Sequence, residues 1–406
     1  MKIKKLLFVL AVFVLLLSAC SGVQNNAETP DTSNPPAEVE EPQPEAEPIE
    51  EQAPAEEPAA TEAPTEEPAA PAVAYPLTVT DSTGHTITLE QTPENIVIAG
   101  KATIMVQDAI FMFEEAKTRV VGIENRGQSV FTFLPYVDPN LDNKILLEMN
   151  AGPEQIAPIN PDVVLMKSFN ASKLGAPLEE IGITTLYFDL ETPEVFLQDI
   201  DTLGQLFANP ARAEEIKAFY QSRMDLVDNL VATVTIEAPS VLVLQYGMDG
   251  EEVAWEIPPD TWLQTLMVEK SGGNPIWKGT GESGGWTIVS LDQIAAWDPD
   301  QIYIIDYAGA TAEIIAGLKT DPLWQELKAT QNEQLYGFPG DHYSWDQPDT
   351  RWILGLEWLA VTMQPELAGQ IDLMAEVYAF YGEMYGMDDA TIEAVVLPLL
   401  ADDGLE

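Results

Sequence analysis

The chain of 406 residues has one cysteine and two histidines. A single thiol, Cys20, excludes an intramolecular disulfide. Two imidazoles, His85 and His342, are too few for a carrier of bare zinc or manganese, whose site draws on several. Bases are scarce as well: 18 Lys and Arg stand against 67 Asp and Glu, a formal charge of −49. A surface that acidic repels phosphate backbones and argues against nucleic acid as a partner. It also repels anionic lipid, so attachment to a membrane cannot come from a basic patch. The one long apolar run, "LLFVLAVFVLLL", falls short of the ~20 residues of a spanning helix. No Walker-type loop and no zinc-ligand cluster occurs.

That run follows Lys2, Lys4 and Lys5 and ends at "LSAC", the layout of a secretory signal. "LSAC" resembles a bacterial lipobox, which implies cleavage before Cys20 and lipid on that residue. Residues 1–20 are therefore expected to be a lipoprotein signal, with the mature protein lipid-anchored outside the cytoplasm. Residues 21–74 are almost wholly Pro, Glu, Ala, Thr, Ser, Gln and Asn, with 14 acids and no base. Too little apolar surface offsets chain ordering there, and the expectation is a disordered acidic tether. Residues 75–406 then carry 53 acids against 15 bases, which solubility or a salty habitat explains better than a specific partner.

A folded part of this length suggests two lobes rather than one core. "NIVIAG", "RVVGI", "KILLE", "DVVLMK" and "TTLYFD" read as short buried strands separated by helical stretches. Such alternation implies a mostly parallel sheet covered by helices. Next comes "NPARAEEIKAFYQSRMDLVDNLVATV", with Asn209 as N-cap and apolar residues at helical spacing from Ile216 to Val234. The strand pattern resumes with "SVLVLQYG", "WTIVS", "QIYIID" and "QLYGF" and closes on helical segments. The expected division is an N-terminal lobe over 75–208, a connecting helix over 209–237 and a C-terminal lobe over 238–406.

One phrase is written twice. "EQIAPINPD" (154–162) and "DQIAAWDPD" (292–300) share a leading acid, Gln-Ile-Ala, a closing Pro-Asp and a following apolar run. Each predicts a short helix opened by a carboxylate, broken at Pro-Asp and leading into a buried strand.

With "TVTDSTGHTITLEQTPENIVIAG", "GPEQIAPINPDVVLM", the long mid-chain helix, "VSLDQIAAWDPDQIYII" and "SWDQPDTRWILGLEWLA" in this order, the chain resembles the iron-complex class of substrate-binding lipoproteins. These serve ATP-driven importers of siderophores, haem and cobalamin. The resemblance spans about Tyr75 to Gly386. It implies an α/β fold of two Rossmann-like lobes joined by one long α-helix, with ligand held in the cleft between them. It further implies no intrinsic cofactor and no enzymatic activity. The partners would be a permease, an ATPase and a small metal complex, the binding protein itself being a monomer. An exposed acid on each lobe docks onto the permease in this family. The matching positions are Glu154 and Asp292, the latter shorter than the family's more usual Glu.

Ligand contacts are expected on loops after the strands. Lys101, Arg126 and Lys167 stand there in the first lobe. Tyr246, Trp255, Tyr307, His342, Tyr343 and Trp345 do so in the second, with Arg351 on the adjoining helix. Cations suit an anionic chelate, and aromatic walls a large flat or catechol-like one. His342 would serve as a metal ligand only toward a haem-like iron. Siderophore, haem, cobalamin and molybdate- or tungstate-type oxyanions all remain open. A competing motif, "GESGG" around Ser283, fits a hydrolase nucleophile pattern. That elbow requires a strand before and a helix after, whereas here the β-like "WTIVS" follows.

Overall fold

The computed structural model describes residues 73–125, 132–250, 252–281, 284–401 and 405. Cys20, the signal and nearly all of the tether lie outside them, as do Arg126 and Ser283.

A small antiparallel hairpin opens the described chain, β1 (Leu77–Thr80) against β2 (Thr86–Leu89). Asp81 closes its turn by accepting from the backbone N–H of Thr83 and His85. Five parallel strands follow: β3 (Ile96–Ile98), β4 (Val120–Glu124), β5 (Ile145–Leu147), β6 (Val163–Lys167) and β7 (Thr185–Phe188). Their order across the sheet is β5-β4-β3-β6-β7, so the winding direction reverses between β3 and β6. Side chains on these strands alternate between two apolar layers. Ile96, Ile98, Val163 and Leu165 enter the main core, while Val97, Val164, Met166 and Tyr187 form a second core on the opposite face.

The connecting helix runs Pro210–Val231, with the Asn209 side chain accepting from Arg212 N–H. At 22 residues it is roughly 33 Å long, slightly shorter than its periodicity predicts. Tyr220 on this helix is fully buried between Phe196 of the first lobe (4.6 Å) and Trp352 of the second (5.4 Å). Its hydroxyl donates to the Thr350 carbonyl. One hydrophobic core therefore runs from the first sheet through the helix into the second lobe.

The second sheet has the order β11-β9-β8-β12-β13. Here β8 is Ser240–Asp249, β9 Glu252–Ile257, β11 Thr287–Val289, β12 Gln301–Ile305 and β13 Leu335–Gly337, with the short β10 (Asn274–Pro275) beside the start of β8. The strands β8, β12 and β13 are parallel, whereas β9 folds back on β8 as a hairpin. Tyr246 and Trp255, expected on loops, sit directly opposite each other in that hairpin.

The repeated phrase builds the same device in both lobes. Ile156 and Ile294 are fully buried under their sheets. Asn160 (φ 53°) and Asp298 (φ 40°) both turn left-handed, a conformation these residue types tolerate. The closing acids then clasp the start of the neighbouring strand. Asp162 accepts from the N–H of Glu94 and Asn95 just before β3, and Asp300 accepts from the N–H and hydroxyl of Ser240 at the start of β8. The backbones match too, Asp162 N–H donating to Asn95 and Asp300 N–H to Ser240.

Candidate ligand-binding cleft

Parallel α/β sheets present their crevices at the carboxyl ends of the strands. In the first lobe the chain leaves β3 through Gly100, Lys101 and Ala102. Gly100 adopts φ 95° and lies so close to Asn170 that a Cβ would stand 2.8 Å from its Cγ. Asn170, itself buried, accepts from Lys101 N–H at 2.9 Å and donates to the Lys101 carbonyl at 3.0 Å. Glu124, at the end of β4, accepts from the N–H of Gly100 and of Asn150, both at 2.7 Å. The loops after β3, β5 and β6 are thus tied together by buried side chains.

Two cavities open around this framework. One of about 320 Å³ is lined by Lys101, Glu124, Asn150, Phe169, Asn170 and Lys173, with the 151–153 loop. The other, about 240 Å³, is lined by Thr103, Gln107, Asn125, Phe133 and Leu146 of the first lobe and by Tyr343 of the second. The buried Thr103 hydroxyl has no hydrogen-bond partner among the described residues.

Several expected ligand contacts have internal tasks. Lys167 is 1% exposed; its ammonium donates to Glu191 at 2.6 Å and to the Asp189 carbonyl. Arg351 is fully buried among three carboxylates, Asp108 (2.6 Å), Asp341 (2.7 Å) and Asp349 (3.2 Å). Its guanidinium also stacks 4.4 Å from the Phe133 ring and 4.9 Å from Tyr343. Asp108 and Phe133 belong to the first lobe, so this cluster fastens the lobes to each other. Trp345 is fully buried and donates its indole N–H to Asp341. Lys167, Trp345 and Arg351, expected as ligand contacts, are thus buried and engaged with partners inside the protein. In an acidic chain the buried positions claim cations first, because an unpaired buried carboxylate costs more than an exposed one.

Burial governs the electrostatics of this seam. It pushes the Asp349 carboxyl up to about 7, Arg351 opposing and Asp108 reinforcing the rise. Asp108 is raised for the same reason. Burial also resists ionisation of Asp341, but Arg351 and His342 hold its pKa below the usual value. The His342 ring, 3% exposed and 5.3 Å from Phe133, is pushed down to about 4 by burial and by Arg351, so it is neutral at pH 7.

Tyr307 is half-buried and donates to Asp346 at 2.7 Å; Asp346 also accepts from Gln264 and Ser344. Tyr246 packs 5.5 Å from Trp255, and Trp255 lies 4.8 Å from Trp324. Glu154 and Asp292 are both exposed in the first turns of matching short helices. Sequence reasoning missed Asp108, Lys173 and Asn170. A lone acid in the apolar helix "TIMVQDAI" was the available signal for the first, and a lysine in base-poor surroundings for the second. Around Ser283, the described flank is strand β11 and not a helix. Among the described residues no His, Cys, Asp and Glu cluster could hold a metal ion.

The family model described as "Periplasmic binding protein" matches residues 112–342, more than half of the chain. The chain belongs to the periplasmic binding protein family. Among its relatives, the Fe(3+) dicitrate-binding periplasmic protein FecB of Escherichia coli is 23% identical over 64% of this chain and 82% of its own. A cobalamin-binding protein of Halobacterium salinarum is 24% identical over 57% of this chain and 59% of its own. In fold, this periplasmic binding protein is similar to a solute binding protein of Veillonella parvula. That match has a TM-score of 0.64 and 23% identity, covering 81% of this chain and 99% of the other. As a member of this family it is a solute-binding protein in class, with two α/β lobes and a cleft between them.

Proposed function

We propose that this chain is the extracytoplasmic solute receptor of an ABC importer, carrying an iron chelate or a related metal complex to the permease. The observation that carries the reading is the paired architecture. Two lobes meet at a cleft floored by strand ends, and each bears one exposed acid on the same short, clasped helix. Ligand enters the cleft, and Glu154 and Asp292 pair with permease arginines, a charge-assisted contact both side chains can make. Turnover of ATP takes place in other subunits, and this chain performs no catalysis. Lipid on Cys20 and the acidic tether keep the receptor close to the bilayer.

Native mass spectrometry of protein purified from its own host tests this directly, with a co-purified chelate and its metal as the expected result. A thermal shift series with ferric siderophores, haem, cobalamin and molybdate gives the second readout. No co-purified ligand and no shift with any of them would overturn the proposal.

A further inference from the structure

Fourteen of the fifteen bases after the tether lie among the described residues, and eleven of these are within 4.0 Å of a carboxylate. Among the described residues Lys101, Lys173 and Lys319 make no such pair. In a chain with 67 acids and 18 bases, carboxylates are the most abundant neighbours a lysine can find. Two of the three unpaired cations nevertheless line one recess, the 320 Å³ cavity on the first lobe.

The recess is built and not accidental. Asn170 holds the Lys101 backbone from both sides, and the close approach at Gly100 leaves no room for a side chain. The one acid in the lining, Glu124, is buried and has its oxygens on the N–H groups of Gly100 and Asn150. Two lysines lining one recess, neither paired with a carboxylate among the described residues, give it a positive potential that favours an anion. Phe169, 51% exposed, and Leu174 add an apolar wall, which a hydrocarbon skeleton uses and a bare tetrahedral oxyanion does not. The volume lies at the small end of the roughly 300–1,000 Å³ typical of ligand sites.

We propose that this recess binds a small organic polycarboxylate through Lys101 and Lys173. The inference rests on the solute-receptor reading and narrows it to a carboxylate-bearing ligand. That carboxylate is either a free acid or the ligand shell of a metal complex.

The test is calorimetric titration of the full chain with citrate, ferric citrate and sulfate at low and high salt. Wild type is compared with the double variant K101Q/K173Q and with K319Q, which removes the third unpaired lysine elsewhere. The expected result is saturable binding of citrate, ferric citrate or both, weaker at high salt, with sulfate much weaker. Affinity falls about tenfold or more per lysine in the double variant, as for a lost charge-assisted hydrogen bond. K319Q stays within about twofold, as for a charge remote from the site. Citrate binding without iron assigns the site to the free acid, and binding of ferric citrate alone assigns it to the complex. No binding of either by wild type, or equal binding by the double variant, overturns the proposal. If wild type then still retains a co-purified ligand, only the recess is refuted and the receptor reading stands.

Discussion

Arg351 shows how one side chain can be more important to cohesion than to recognition. Among the described residues it is the only Lys or Arg in contact with Asp108, Asp341 and Asp349, all buried. Arg351→Met leaves these carboxyls without a counter-charge, and the expected loss is about 3–5 kcal/mol at neutral pH, read from urea denaturation. Because three acids must then bind protons, the deficit should shrink as pH falls. Glu357 makes the complementary case. It is fully buried, its oxygens have no hydrogen-bond partner among the described residues, and burial pushes its pKa to about 8. With Asp349 and Asp199, both at about 7, it binds a proton in the folded state that the unfolded chain releases near pH 4. The native form therefore holds more protons between pH 4 and 8, and stability falls as pH rises through that window. Melting temperature measured against pH should decline toward pH 8, and Glu357→Gln should flatten the upper part of the decline. None of this was legible in advance: a charged letter in "WILGLEWLAV" does not reveal whether it points outward.

At the scale of elements, most of the architecture could be read from short apolar runs. The segments "NIVIAG", "DVVLMK", "SVLVLQYG" and "QIYIID" became β3, β6, β8 and β12, because strands buried on both faces need continuous β-branched sequence. The strand β9, "EVAWEI", escaped notice since its charged, half-exposed residues break that pattern. The hairpin it forms with β8 moved Tyr246 and Trp255 off the expected loops. The repeated phrase announced two similar helix-to-strand transitions, but not the hydrogen bonds that fasten them. Asp162→Ala and Asp300→Ala should each cost about 1–2 kcal/mol, the loss of charge-assisted hydrogen bonds to backbone N–H groups, with Asp162, whose partners are exposed, at the lower end. Hydrogen exchange should show the loss at the starts of β3 and β8 respectively. Loss of protection confined to the substituted aspartate's own helix, with β3 and β8 unchanged, would refute the clasp.

For the whole molecule, the long helix, the shared core and the Asp108–Arg351 pair all hold the lobes in a fixed relation. Ligand capture should accordingly change the solution scattering profile little, a smaller change than hinge closure of freely jointed lobes would give. Substituting both proposed docking acids, Glu154→Ala with Asp292→Ala, should abolish uptake in a reconstituted importer while ligand binding by the isolated protein persists, since rim charges act mainly on partner association. The order of the family's motifs made this two-lobed frame readable from sequence. The cleft was less so, because which cations remain free depends on which acids the fold buries.

The clasped helices carry one more implication. Each exposed acid rides on a segment fastened to its own sheet by an aspartate, Asp162 in one lobe and Asp300 in the other. Local flexing cannot then alter the gap between Glu154 and Asp292; only displacement of one lobe against the other can. Under the proposed docking, the membrane partner would read a length between two points and not the identity of the cargo. Any solute that sets the lobes at the same span would be admitted by the same gauge.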